Sequence, residues 1–105
     1  MRPKKSKSRA SSRAVTAVVV MRLYIADGAP NSVKAVANLA AICKEYLKGS
    51  FKLEIVDVLR FPRRALADGV LVTPHLAKLS PSPAAMVVGN LSDRRSLLGA
   101  LGIHG

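Results

Sequence analysis

The chain has 105 residues, half of them hydrophobic, with two Phe, two Tyr and no Trp, which leaves room for one small domain built on an aliphatic core. Seventeen basic residues against six acidic ones give a formal charge of +11, and the partners such a balance admits are nucleic acid, an acidic membrane or an acidic protein. A single cysteine, Cys43, excludes an internal disulfide and any CxxC redox pair, and makes a reducing, cytoplasmic location the default.

Residues 1 to 13, MRPKKSKSRASSR, are basic, Ser-rich and of low complexity, so a disordered basic arm is expected, ahead of a domain over 14–105. Six basic groups and no acid lie in the first 20 residues. The arm lacks aromatic rings for base stacking, so a single-strand platform has no support and a nucleic-acid partner is disfavoured; a solvated arm is the plain alternative. The apolar run Ala14 to Ile25 is interrupted by Thr16 and Arg22, too short for a membrane span and without a clear small-residue cleavage site. It reads as a strand, AVTAVVVMRLYIA.

DGAPNS then marks a turn. Ser32 or Asn31 is expected to cap a helix through Leu47, with an apolar stripe of Val36, Leu39, Ala40, Cys43 and Leu47 and a stop at Gly49. Lys34, Asn38, Lys44, Glu45 and Lys48 fall on its solvent side. FKLEIVDVL, from Phe51, alternates at first and then turns apolar, as a strand with one buried face does. A parallel βαβ unit results. A short helix is expected from Pro62, then two short strands, PHLAKLS and AAMVVGN, reversed by PSP. A last helix, SDRRSLLGALGI, is expected to be capped by Ser92 or Asn90, with Asp93 suited to the positive end of its dipole.

The order β-α-β-α-β-β-α with a mixed sheet is the thioredoxin-like α/β plan, in which the bond between Thr73 and Pro74, before the third strand, is expected to be cis. The proline stands where the strand needs no donor. In redox enzymes of this plan the turn after the first strand holds a nucleophilic cysteine. Here that turn reads ADGAPNS, and Cys43 lies far down the helix on its apolar stripe, where a thiol is an inert small hydrophobe. His75 and His104 stand alone without zinc-ligand spacing, and His75 reads as structural or as lining a groove. Asp57 has no paired acid and reads as solvated or capping. GVLVTPH and DGAP lack the phosphate-loop pattern. No catalytic residue, metal site or cofactor emerges, so the chain is expected not to be an enzyme.

Four blocks between Met21 and Leu101 resemble the KaiB family of circadian clock proteins. RLYIADGAPNSVKAVANL is similar to LYVAG-x-TPNS-x-RA, LEIVDVLRFP to V-I-D-V-L-x-N-P, LVTPHLAKLSPSP to L-A-T-P-T-L-x-K-x-x-P-P-P, and VVGNLSDRRSLLGAL to I-I-G-D-L-S-x-R. The resemblance implies a non-catalytic adaptor that binds the KaiC ATPase ring. It also implies a metamorphic chain, in which a thioredoxin-like monomer competes with a differently folded state that forms tetramers, the half after VDVL being the part that switches. By position, Lys34 and Lys78 match basic residues at the KaiC contact, and Arg22 and Arg60 match further basic positions. A dimer or tetramer is one expected partner state; a KaiC-like ATPase is the main expected partner, a histidine kinase the alternative, and a nucleic-acid-binding protein using the basic N-terminal arm a further one.

The departures are specific. The arm from Lys4 to Arg13 has no family counterpart, an acidic pair becomes Leu66-Ala67-Asp68 with Gly69 in place of lysine, and Ala85 and Met86 replace a basic pair. Ala100 and Gly102 occupy family glycine and aspartate positions. Alanine favours helix over glycine by about 1 kcal/mol, so the thioredoxin-like state is expected to be favoured.

Overall fold

The computed structural model describes residues 18–103; the arm over residues 1 to 13 and His104 lie outside them. The β-branched run forms β1 (Val19–Ile25), which pairs in parallel with β2 (Phe51–Asp57) from Val19 opposite Phe51 to Ile25 opposite Asp57. On the other side β1 pairs antiparallel with β3 (His75–Ser80), Leu23 opposite Leu76, and β3 pairs antiparallel with β4 (Ala85–Val88). The described strands thus run in the order β2-β1-β3-β4. This is the thioredoxin-like arrangement expected from the order of elements.

The period of two sorts the side chains of β1 between two layers. Val19, Met21 and Leu23 join Leu76, the α1 (Pro30–Ile42) residues Ala35, Leu39 and Ile42, and the α3 (Arg94–Leu101) residues Leu97 and Leu101 in the main core. Fully buried leucines such as Leu23, Leu39 and Leu97 each stabilise the fold by roughly 1.5–3 kcal/mol. On the opposite face a smaller cluster holds Tyr24, Val56, Ala65 and Val70, where α2 (Pro62–Ala67) rests on the sheet.

The start of α1 differs from expectation. Ala29 occupies the N-cap and makes no side-chain bond, while Pro30 takes the first helical position, where a missing N–H costs nothing. Ser32 does not cap; it is buried, and its Oγ accepts the Ala26 N–H at 3.0 Å. The buried stripe is Ser32, Ala35, Leu39 and Ile42, turned from the expected one, so Val36 is half-buried and Ala40 exposed. After Ile42 the helix widens into a π turn over Cys43–Leu47, closed by the Lys48 N–H on the Cys43 carbonyl at 2.9 Å. Lys48 and Gly49 both take positive φ, 46° and 91°, the second being a conformation suited to glycine.

β2 ends at Asp57 rather than running through Leu59, because the Asp57 carboxylate turns the chain. Its Oδ1 accepts the N–H of Leu59 at 3.0 Å and of Asp27 at 3.3 Å. Thr73–Pro74 is cis, as expected, and so are Ser80–Pro81 and Ser82–Pro83. The N-cap of α3 is Asp93, not Ser92 or Asn90: its carboxylate accepts from the Ser96 N–H at 3.1 Å and the Ser96 hydroxyl at 2.8 Å. Asn90 works one step earlier, its Oδ1 accepting the Ser92 N–H. Gly102, at φ 76°, closes α3 in the left-handed conformation.

Candidate protein-docking site

The turn between β1 and α1 is where a thioredoxin-like redox enzyme carries its thiol. Here the Ser32 hydroxyl fastens that turn to the Ala26 amide, and the residues around it, Ile25, Asp27, Gly28, Val33 and Val36, line a shallow cavity of ≈ 200 Å³. Cys43 is buried in the main core, and burial pushes its thiol pKa up, away from the thiolate a nucleophile needs. Among the described residues no group of three or more His, Cys, Asp or Glu could hold a metal ion, and no helix is long and apolar enough to cross a membrane.

Asp57 brings two loops together at this end of the sheet. It accepts from Asp27 in the β1–α1 turn, and its carbonyl receives the N–H of Arg60 at 3.1 Å and of Phe61 at 2.9 Å. Its capping role matches the expectation for a lone acid. Exposed apolar side chains gather here and around α2: Val33, Leu59, Phe61 at 50 %, and Leu71 at 86 %. The Arg60 guanidinium lies 5.7 Å from the centre of the Phe61 ring, and Lys34 is exposed on the adjoining first turns of α1. Exposed large apolar side chains accompanied by cations are common on surfaces that meet another protein.

The four expected contact residues therefore separate. Lys34 and Arg60 are exposed at one end of the molecule. Arg22 lies on the face covered by α2, where its Nε meets Glu54 Oε1 at 2.9 Å and its Nη1 donates to the Tyr24 hydroxyl at 3.3 Å. Lys78, expected to be exposed, is 4 % exposed, on the main-core face of β3 opposite Met21; the expectation is corrected by the strand's period, which sends residues 76 and 78 to the same side. His75 is buried against Tyr24, ring centres 5.5 Å apart and edge to face. Thr73 and Pro74 stand just before β3, where the Pro74 carbonyl accepts the Gly89 N–H at 3.0 Å.

Sequence reasoning missed the exposed Leu59, Phe61 and Leu71. The signal was present in VLRFPRR and VLVTP, where large apolar residues fall between strand and helix with no partner of the same period. It also missed the charge cluster of Arg22, Glu54, Arg64 and Asp68, whose members are far apart in sequence.

Fold and site together define a thioredoxin-fold domain that has lost the thioredoxin thiols. The KaiB domain model matches residues 22–103, and the chain belongs to that family. The circadian clock oscillator protein KaiB of Microcystis aeruginosa is 43% identical over 79 residues, covering 75% of this chain and 76% of that protein. The protein of the same name from Rippkaea orientalis is 42% identical over 79 residues, with 75% and 76% covered. Among solved structures, the N-terminal domain of Synechococcus elongatus SasA superposes with a TM-score of 0.66 at 23% identity, covering 90% of this chain and 93% of that one. Mitochondrial thioredoxin 3 from Saccharomyces cerevisiae gives 0.66 at 11% identity, with 82% and 78% covered. At such identities these two speak for the fold alone.

Proposed function

We propose that this protein is a non-catalytic adaptor that docks on a KaiC-type ATPase ring and thereby modulates timing or stress signalling in the cytoplasm. The observation that carries the reading is the KaiB-domain match across residues 22–103, joined to relatives named as circadian clock oscillator proteins. The thiol-free turn and the buried Cys43 support a role without turnover, and no cofactor enters it. Exposed Lys34 and Arg60 supply cations that steer an encounter with an acidic ring surface. Arg22 and Lys78 hold structural places in this conformation, so their contribution to the ring contact requires a rearranged second half. That half is lightly anchored: α2 contributes only Ala65 to a cluster of four buried residues. Two packings of similar free energy, one of them stabilised by the partner, make such a switch accessible.

The test is co-elution of the full chain with a KaiC-type ATPase in the presence of ATP. Association that Lys34→Glu weakens supports the reading; absence of any complex overturns it. A second reading, partnership with a histidine kinase, is favoured by Ala85 and Met86 where the family pattern has basic residues, and by the burial of Lys78. Capture of a kinase sensor region with no affinity for the ring would select it.

A further inference from the structure

Among the described residues β2 has a neighbour on one side only: β1 covers one edge, and nothing pairs with the other. The parallel ladder fixes which backbone groups the free edge presents. The Val19 N–H bonds the Ser50 carbonyl at 3.1 Å, and the Val58 N–H bonds the Ile25 carbonyl at 2.8 Å. Bonds in a parallel pair are evenly spaced, at every second residue. The even-numbered residues of β2 therefore turn their amides to β1, and Phe51, Leu53 and Ile55 hold theirs outward. Side chains alternate too. Phe51 and Leu53 pack against the main core and Ile55 beyond them is exposed, while Lys52 and Glu54 stand exposed on the face that carries α2. Lys52 forms no ion pair among the described residues. Glu54 accepts three hydrogen bonds from Arg22 and Arg64, which leaves open one of the roughly four acceptor sites of a carboxylate.

We propose that this edge is a self-association surface, on which β2 of a second copy pairs antiparallel about a two-fold axis through Leu53. The segment Phe51-Lys52-Leu53-Glu54-Ile55 is its own complement in that register. Leu53 falls opposite Leu53, Phe51 opposite Ile55, and Lys52 opposite Glu54. The three outward-facing residues become the hydrogen-bonded pairs and exchange about six N–H···O=C bonds. The two Lys52–Glu54 pairs take the positions between them, where facing side chains stand closest. An axis through Lys52 or through Glu54 instead sets like charges against each other. A lone lysine on an edge guards it against pairing; here each lysine meets a carboxylate. The apolar stripe is extended as well, because Ile55 of the second copy comes beside Phe51, at the mouth of the ≈ 390 Å³ groove that Cys43, Lys44, Phe51 and Leu53 line. The opposite edge strand, β4, has four residues and no charged side chain to fix a register. The association keeps the fold described here, and it does not rest on the ring-binding reading.

The test is sedimentation equilibrium of the full chain from about 5 to 500 μM at about 150 mM salt, with amide hydrogen exchange and far-UV circular dichroism at both ends of that range. The contact is small, so a monomer–dimer equilibrium with Kd of about 10–100 μM is expected. At the high concentration the amides of Phe51, Leu53 and Ile55 should gain protection. Those of Lys52 and Glu54, already bonded to β1, should not change. Lys52→Glu, a change at an exposed position, places two carboxylate pairs across the axis and should weaken the dimer by about tenfold or more. A monomer throughout the range, a dimer that Lys52→Glu leaves intact, or concentration-dependent protection that falls elsewhere would each overturn the proposal. So would a dichroism spectrum that changes with concentration, since it assigns the self-association to another fold.

Discussion

Arg64 and Glu54 meet in a two-bond fork, Nη1 to Oε2 at 2.7 Å and Nη2 to Oε1 at 2.6 Å, and so fasten the short helix α2 to the edge strand β2. Arg22 on β1 shares the same Oε1, and the Tyr24 hydroxyl donates to Asp68 just past the end of α2 at 2.6 Å. A helix of six residues cannot persist on propensity alone. This charge cluster adds to the small apolar cluster around Ala65 in holding α2 against the sheet.

That hold is pH-dependent in one direction. Two guanidiniums keep the Glu54 carboxyl down at about 2, against an ordinary value of 4.5. A carboxyl whose pKa is lowered by folding stabilises the fold fully above its unfolded value and ceases to do so as pH falls through the folded one. Amides of α2 should therefore lose protection relative to those of α1 between about pH 4.5 and 2, measured by hydrogen exchange corrected for intrinsic rate. Glu54→Gln should show the weakened protection already at neutral pH. Equal protection of α2 across that range in the parent chain would refute the assignment.

Lys78 makes the opposite kind of prediction. Its side chain is buried, and a Cβ added at Gly102, the C-cap of α3, would lie 3.8 Å from its Nζ. Replacing a buried charge by an apolar chain of similar length is commonly neutral to stabilising, so Lys78→Met should raise the urea midpoint, by about 1 kcal/mol in stability. A fall of that size would show that the ammonium has a favourable role in the fold.

Gly102 closes α3 at φ 76°, a conformation that burdens any residue with a Cβ. Gly102→Ala should cost about 1 kcal/mol by the same denaturant measurement. The added methyl finds room, so a null result would mean that the left-handed cap is not kept in solution.

Cys43 should resist alkylation. Its thiol is buried and its pKa raised by desolvation, so iodoacetamide should label it at least about a hundredfold more slowly in the native chain than in urea. Insulin reduction with dithiothreitol should show no acceleration. Rapid native labelling would show that the core does not enclose this residue.

Lys34→Glu should reduce association with a KaiC-type ring by about tenfold, acting on the rate of encounter and fading with added salt. Far-UV circular dichroism should be unchanged, because the Lys34 side chain is exposed on α1. Undiminished binding would remove it from the contact.

Much of the architecture was legible because each element announced itself through its own period or its own punctuation. Val and Ile marked β1, Pro62 began α2, and Pro74 stood before β3 as its missing N–H requires. What escaped were choices made between segments. Ser32 reads as a cap until the Ala26 amide is brought within its reach, and Asp93 outcompetes Ser92 because its carboxylate reaches both donors of Ser96. The π turn depends on where Cys43 and Leu47 find the core, which local propensity does not encode. For the candidate site the sequence named exposed Lys34 and Arg60 but placed Lys78 outside. A lysine in an alternating strand is assigned to solvent by habit, and only the register against Met21 reverses that.

The last turn of β3 is written against its own hydropathy. Leu79 is 44% exposed while Lys78 beside it is enclosed, and the ladder to β1 already slips between Val20 and Met21. A slide by a single position would trade the two, returning an ammonium to water and a leucine to the interior. The same slide would carry Leu76 out of the main core, so that buried leucine is what pins the register in which Lys78 is enclosed.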